Sequence, residues 1–257
     1  MNDTELFELY LFSQKIIFEA GKHVEKLKKN GFKVLVKQEN ELVSEIDIYV
    51  QKFLTKSIRD KYQSDIYDEE HRGVLKKMNL RDCFIIDPID ASHNLIAGLP
   101  FYNISIGYVY KNTIIFGIIY FPYSGEMYHA FLGKGAYKDN NKISVSKNLH
   151  INKSIISYDN KFTDKSLKNY VNLVHNVFTT RILGSANRDA CYVAEGVLDA
   201  RIWNHTKVFD VVAGMIIVSE AGGISSNFNG ENINLNQVND VIMASKGVHS
   251  SLINLLN

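Results

Sequence analysis

From the amino end, hydrophobic residues recur at the spacing of one helix face: Leu6, Leu9, Phe12, Ile16, Ala20, Val24 and Leu27 fall at steps of three or four. The pattern predicts an amphipathic helix over residues 5–27. Lys28 and Lys29 complement its carbonyl end, and Asn30 or Gly31 can close it in left-handed backbone. A second apolar face, Val50, Phe53, Leu54 and Ile58, predicts a helix over residues 46–62 that carries Asp47 in its first turn. From Asp82 onward the period shortens. Apolar runs at 83–86, 103–110, 113–121 and 126–132 predict strands of a largely antiparallel sheet, with a two-residue turn at Lys111-Asn112 and a longer one over 122–125. Beyond Lys147 the chain turns polar, with a strand expected at 154–157 and helices over 165–176, 186–195 and 210–221. Gly222-Gly223 would cap the last of these. Stacked in this order, the elements make an α+β fold, a layered α-β-α-β-α sandwich. An N-terminal half (1–148) and a C-terminal half (149–257) meet at a soft boundary.

Composition narrows what the fold can do. With 257 residues and 46% hydrophobic content the chain can bury a real core. Lys and Arg total 29 against 28 Asp and Glu, so no global field exists to hold nucleic acid or an anionic membrane surface, and neither partner is expected. The most apolar run, 113–121, falls short of the ~20 residues of a membrane helix. The amino-terminal residues lack the basic, apolar and small-residue order of a secretion signal. Cys83 and Cys191 lie in separate apolar stretches and read as reduced core thiols, which implies a cytoplasmic setting.

Chemistry concentrates in four acidic elements. In Ile85-Ile86-Asp87-Pro88-Ile89-Asp90 an apolar strand runs straight into two acids, and the proline between them prevents a regular helix. The Ile89 carbonyl can turn towards the same point. Oxygen-only ligation suits a hard cation such as Mg²⁺ or Mn²⁺, whereas zinc would call for Cys or His. Alone, the pair fits two solvated turn aspartates equally well. Tyr67-Asp68-Glu69-Glu70 packs adjacent acids that repel unless cations or solvent screen them, and reads either as a site or as an exposed loop. Asp210 and Asp47 each sit at a helix start, where dipole compensation is the ordinary explanation. Gly133-Lys134-Gly135 lacks a nucleotide-loop context and reads as a hairpin turn, and His71 reads as solvent-facing.

Taken together and in order, these elements resemble the inositol monophosphatase family, which includes archaeal-type fructose-1,6-bisphosphatases and 3′-phosphoadenosine phosphatases. The carrying motifs are Glu69-Glu70, then Asp87-Pro88-Ile89-Asp90-Ala91-Ser92-His93-Asn94, then Phe209-Asp210, and finally Glu220-Ala221-Gly222-Gly223. The resemblance implies that Glu69, Asp87 and the Ile89 carbonyl hold one Mg²⁺, that Asp87, Asp90 and Asp210 hold a second, and that Glu69 helps with a third. It implies hydrolysis of a small-molecule phosphate ester, inositol 1-phosphate or fructose 1,6-bisphosphate, in a homodimer sensitive to Li⁺. Alternatives are a 3′-phosphoadenosine 5′-phosphate phosphatase and a catalytically silent, partner-binding relative. In the implied reaction a metal-activated water, polarised by Glu69 and a Ser92–Asp47 pair, attacks phosphorus without a covalent phosphoenzyme, while N–H groups of Ala91 and Ser92 cradle the phosphate.

The chain departs from the family pattern at named points. Ala91-Ser92 stands for Gly-Thr, which puts a Cβ beside the phosphate and keeps a hydroxyl. Phe209 replaces a tryptophan. Trp203 stands where animal inositol phosphatases carry an acid that contacts a ring hydroxyl, which argues against inositol specificity. Arg201 and Lys207 read either as surface charge or as contacts to a second phosphate. Gly184-Ser185-Ala186 to Asp189 resembles the family's substrate-facing turn, making Ala186 and Asp189 expected contacts.

Overall fold

Asn2 caps the first helix: its side chain accepts the Glu5 N–H while Glu5 reaches back to the Asn2 N–H, and α1 runs Asp3–Asn30. Gly31 ends it at φ +81°. The computed structural model describes residues 1–38, 41–69, 80–159 and 162–257, so Glu70 and His71 lie outside the described residues. A hairpin of β1 (Val34–Gln38) and β2 (Glu41–Ser44) leads to α2 (Glu45–Arg59), whose N-cap is Ser44.

A seven-stranded sheet follows. Its order is β3 (Asp65–Asp68), β4 (Asp82–Asp90), β5 (Asn103–Tyr110), β6 (Thr113–Phe121), β7 (Glu126–Phe131), β8 (Gly135–Lys138) and β9 (Asn141–Lys142), with α3 (Ser92–Ala97) between β4 and β5. Every neighbouring pair is antiparallel except β3 with β4, which run parallel. Lys111 and Asn112 take φ of +50° and +63°, the backbone a tight two-residue hairpin between β5 and β6 requires.

After the first sheet β10 (Ile155–Tyr158), α4 (Asp164–Asn176), β11 (Thr179–Arg181), α5 (Ala186–Ala194), β12 (Ala200–Trp203), α6 (Val208–Glu220), β13 (Ile224–Ser226), β14 (Val241–Ala244) and α7 (Lys246–Leu256) follow in turn. The strands form a mixed sheet ordered β11-β10-β12-β14-β13. Helix α6 begins at Val208 rather than at Asp210, because Val208 and Phe209 are themselves buried, and so Asp210 sits inside the first turn. The hairpin β1–β2, the strands β8, β9 and β11 to β14, and α7 exceed what the apolar pattern predicted.

The layers are α1 and α2, the seven-stranded sheet, α5 and α6, the five-stranded sheet, then α4 and α7. This is the α-β-α-β-α sandwich. Leu9, Ile17, Val50 and Leu54 pack on Phe84, Tyr108 and Phe116 from one side. Ile119 and Ala130 of the first sheet, Val193 and Ile217 of the middle helices, and Met243 of the second sheet share a core. Close approach of α6 to the first sheet depends on two glycines paired across β5 and β6, Gly107 and Gly117. A Cβ on Gly107 would lie 2.5 Å from Val212 Cγ1, and one on Gly117 2.5 Å from the Ala213 carbonyl oxygen. Among the described residues no helix is long and apolar enough to cross a membrane.

Candidate active site

Proline decides the geometry at the end of β4. Pro88 has no N–H to give the ladder, and the pairing of β4 with β5 shifts between Asp87 and Asp90. The Ile89 carbonyl is thereby left to the turn, 3.0 Å from Ser92 Oγ. Ala91 then enters left-handed backbone at φ 63°, ψ 51° and α3 starts at Ser92. Within one turn the chain presents Asp87, the Ile89 carbonyl, Asp90 and Ser92.

Three further elements bring acids to this point. Parallel pairing sets Asp68 of β3 opposite Ile86 of β4, so Glu69 leaves its strand beside Asp87. Asp47 is in the first turn of α2, where its carboxylate accepts the Ser44 N–H at 2.8 Å and the hydroxyls of both Ser44 and Ser92. Asp210 comes from the first turn of α6 and accepts the Lys207 N–H at 2.9 Å and the Thr206 hydroxyl at 3.1 Å. Glu69, Asp87, Ile89, Asp90 and Asp210 all line one cleft of about 530 Å³.

The electrostatics follow from crowding. Burial pushes the Asp87 carboxyl well above its ordinary range, and the charges of Glu69, Asp90, Asp210 and Asp47 push it further. Burial also raises Asp210 to about 6; the Lys207 N–H and Thr206 hydroxyl oppose the rise while Asp90 adds to it. Asp87 Oδ1 is buried without a hydrogen-bond partner among the described residues. A desolvated carboxylate oxygen among other carboxylates is compensated by a cation. The donors are all oxygen, which fits a hard divalent ion. Among the described residues no three of these side chains close on a single point. Several are instead engaged by hydrogen bonds: Asp90 Oδ2 alone accepts from Asn103 Nδ2 at 2.7 Å, the Asn187 N–H at 3.0 Å and the Ser185 hydroxyl.

Ala91, Ser92 and Lys207 line the cleft with the acids. Arg201 does not. It is fully buried in β12, stacked 4.4 Å from the Trp203 ring, with Asp189 and Asp159 as its charge partners. Both expectations for it, surface charge and substrate contact, are therefore corrected: Arg201 and Trp203 share one face of the strand, which turns the guanidinium inwards. Asp189 is corrected for the same reason. It is fully buried on α5, and burial raises its carboxyl to about 7 while Arg201 holds it down. Ala186 is also buried and contributes no cleft surface, because the first turn of α5 packs inwards.

Sequence reasoning missed Asn103, Ser185 and Asn187 as the residues that hold Asp90. Ser185 carried a legible signal as the N-cap of α5, where its side chain accepts the Arg188 N–H. Asn103 carried none. Asp159, Phe162 and His205 also line the cleft and were not anticipated.

The inositol monophosphatase family model matches residues 5–257. The chain is 32% identical over 232 residues to the fructose-1,6-bisphosphatase/inositol-1-monophosphatase of Thermotoga maritima, a match covering 90% of this chain and 85% of that protein. It is 34% identical over 217 residues to inositol monophosphatase 1 of Homo sapiens, covering 80% and 78%. Among solved structures, the Thermotoga maritima IMPase matches with a TM-score of 0.88 at 28% identity over 97% of each chain. An acid-lined cleft at a proline-broken strand end, in a chain alike to these enzymes over nearly its whole length, leads to one conclusion: it belongs to the inositol monophosphatase family and is a phosphoric monoester hydrolase.

Proposed function

We propose that the chain hydrolyses small sugar or inositol phosphates, inositol 1-phosphate and fructose 1,6-bisphosphate among them, at a centre that takes two or three Mg²⁺ or Mn²⁺ ions. The ligands are Glu69, Asp87, the Ile89 carbonyl, Asp90 and Asp210. The observation that carries this reading is Asp87 Oδ1, a buried carboxylate oxygen without a hydrogen-bond partner among the described residues, in a site crowded with like charge. Divalent ions bound there would neutralise the phosphate oxygens and lower the pKa of water towards neutrality.

The protein's own groups have separable tasks. Ser92 donates to Asp47, so the hydroxyl lone pairs are free to take a proton from an approaching water, with Glu69 as the second acceptor. Asp90 is fixed in one orientation by Asn103, Ser185 and the Asn187 N–H, which spares the site a reorganisation during reaction. The N–H groups of Ala91 and Ser92 receive phosphate oxygens. Two buried free cysteines, Cys83 and Cys191, suit a reducing, cytoplasmic compartment, and a homodimer is the proposed assembly.

Phosphate release from inositol 1-phosphate and fructose 1,6-bisphosphate, with and without Mg²⁺ and with Li⁺ added, tests the reading. Asp90→Asn is expected to lower kcat on the order of 100-fold while the far-ultraviolet circular dichroism stays unchanged. Near-normal turnover would remove Asp90 from the centre. Light scattering on the eluted protein checks the dimer.

A further inference from the structure

His205 is fixed where an exposed turn residue could be left free. It lies between β12 and α6, lines the cleft, and takes φ +52°, a left-handed conformation in which a Cβ crowds the backbone. Strain of this kind persists where neighbouring groups over-determine it. The segment before β14 does so at three points. Asp240 Oδ1 accepts the His205 N–H at 3.1 Å, the Asn239 carbonyl accepts the Thr206 N–H at 2.8 Å, and the Asn239 side-chain oxygen lies 3.0 Å from His205 Nδ1. The first two bonds set the turn. The third fixes the direction of the ring.

An amide oxygen only accepts, so Nδ1 carries the hydrogen, and in the neutral ring Nε2 keeps its lone pair. Its neighbours on the same wall are of the opposite kind: the Trp203 indole and Lys207 can only donate. A phosphate group, which has only acceptor oxygens, gains nothing from Nε2. A hydroxyl both donates and accepts, and it suits a wall that sets one acceptor among donors. We propose that His205 is a specificity-determining contact, its Nε2 accepting from a hydroxyl on the alcohol part of the substrate, and that Asn239 is its positioning residue. This contact rests on the phosphatase reading and names the part of the ester that the far wall recognises.

Cyclohexyl phosphate keeps the ring of inositol 1-phosphate and lacks its hydroxyls. KM and kcat are measured at pH ~8, where the ring is neutral, for cyclohexyl phosphate and for the better polyol ester, inositol 1-phosphate or fructose 1,6-bisphosphate. His205→Asn removes the imidazole and leaves a residue that tolerates left-handed backbone, so the turn is kept. It is expected to raise KM for the polyol ester about fivefold, with kcat and the KM for cyclohexyl phosphate unchanged. Asn239→Ala, which frees the ring, should raise the same KM by a smaller factor. In the wild type the His205 Nε2 nitrogen resonance, identified by its loss in His205→Asn, is expected to shift with the polyol ester and to stay in place with cyclohexyl phosphate or inorganic phosphate. An equal rise in KM for both kinds of ester, or an unmoved Nε2 resonance, overturns the contact. A raised Mg²⁺ requirement in His205→Asn also overturns it, since the residue would then act through Thr206 on Asp210. If no ester at all is hydrolysed the phosphatase reading falls, and the Nε2 resonance still decides whether His205 meets a hydroxyl.

Discussion

Ala91 occupies a backbone conformation that alanine avoids. At φ 63°, ψ 51° its Cβ crowds the local carbonyl, a cost of roughly 1–2 kcal/mol for an L residue, while glycine meets no such penalty. Ala91→Gly is therefore expected to raise the unfolding free energy by about 0.5–1 kcal/mol, net of glycine's extra freedom in the unfolded chain, as read from urea denaturation. Loss of stability would mean that the turn is relaxed as it stands. The neighbouring Asp87 shows why single residues are legible to different degrees. Its acid is adjacent in sequence to a proline and a second acid, so its chemistry is written locally. Asn103 holds Asp90 from across the β4–β5 ladder and Ser185 from far along the chain, and a single hydrogen bond leaves no period or motif behind it. Arg201 is illegible for another reason: a charge reads as surface unless its partners are known, and Asp189 and Asp159 become its partners only in the fold.

Elements with one apolar face are legible from pattern alone. Helices α1 and α2 turn one apolar face to the core and show its period, while β4, β5 and β6, buried on both faces, announce themselves by long apolar runs. The short strands do not. Strand β14 is a four-residue apolar run without alternation, and β1 leaves Val36 78% exposed, so neither shows a period. Helix α6 is apolar nearly all round because it lies between two sheets, and what sets its depth is the Gly107–Gly117 pair. A Cβ at Gly117 would meet backbone atoms, Ala213 O at 2.5 Å and Ala213 Cα at 2.8 Å, so a side chain there must move the helix itself. Gly117→Ala should cost about 1–3 kcal/mol in stability. Because α6 carries Asp210, it should also raise the Mg²⁺ concentration needed for half-maximal activity several-fold. A destabilised variant with an unchanged Mg²⁺ requirement would show that the helix moves without disturbing the acid.

At the scale of the whole molecule the first sheet and the middle helices are joined by charge as well as by core. Glu126 of β7 pairs with Lys138 of β8 at 2.7 Å and with Arg188 of α5 at 3.1 Å. Burial pushes the Glu126 carboxyl up, but Lys138, Ser124 and Arg188 outweigh it and hold it at about 2, below the ordinary 4.5. A depressed carboxyl stabilises the fold fully above its unfolded pKa, and that contribution is lost as pH falls from about 4.5 towards 2. The stability gap between wild type and Glu126→Gln should accordingly be constant above pH ~5 and close on acidification through this window. A gap independent of pH would show that packing, rather than charge, is what Glu126 supplies.

The same joining reaches the reacting end of the cleft. One oxygen of Asp90 is held by Asn103 from the first sheet and by Ser185 and the Asn187 amide from the opening of α5. Competence thus belongs to the contact between the first sheet and α5. A chimera that takes α5 and the turn before it from a relative inherits a working acid only if the incoming helix begins with a hydroxyl and an amide aimed at Asp90, and family members are interchangeable cassettes only to that extent.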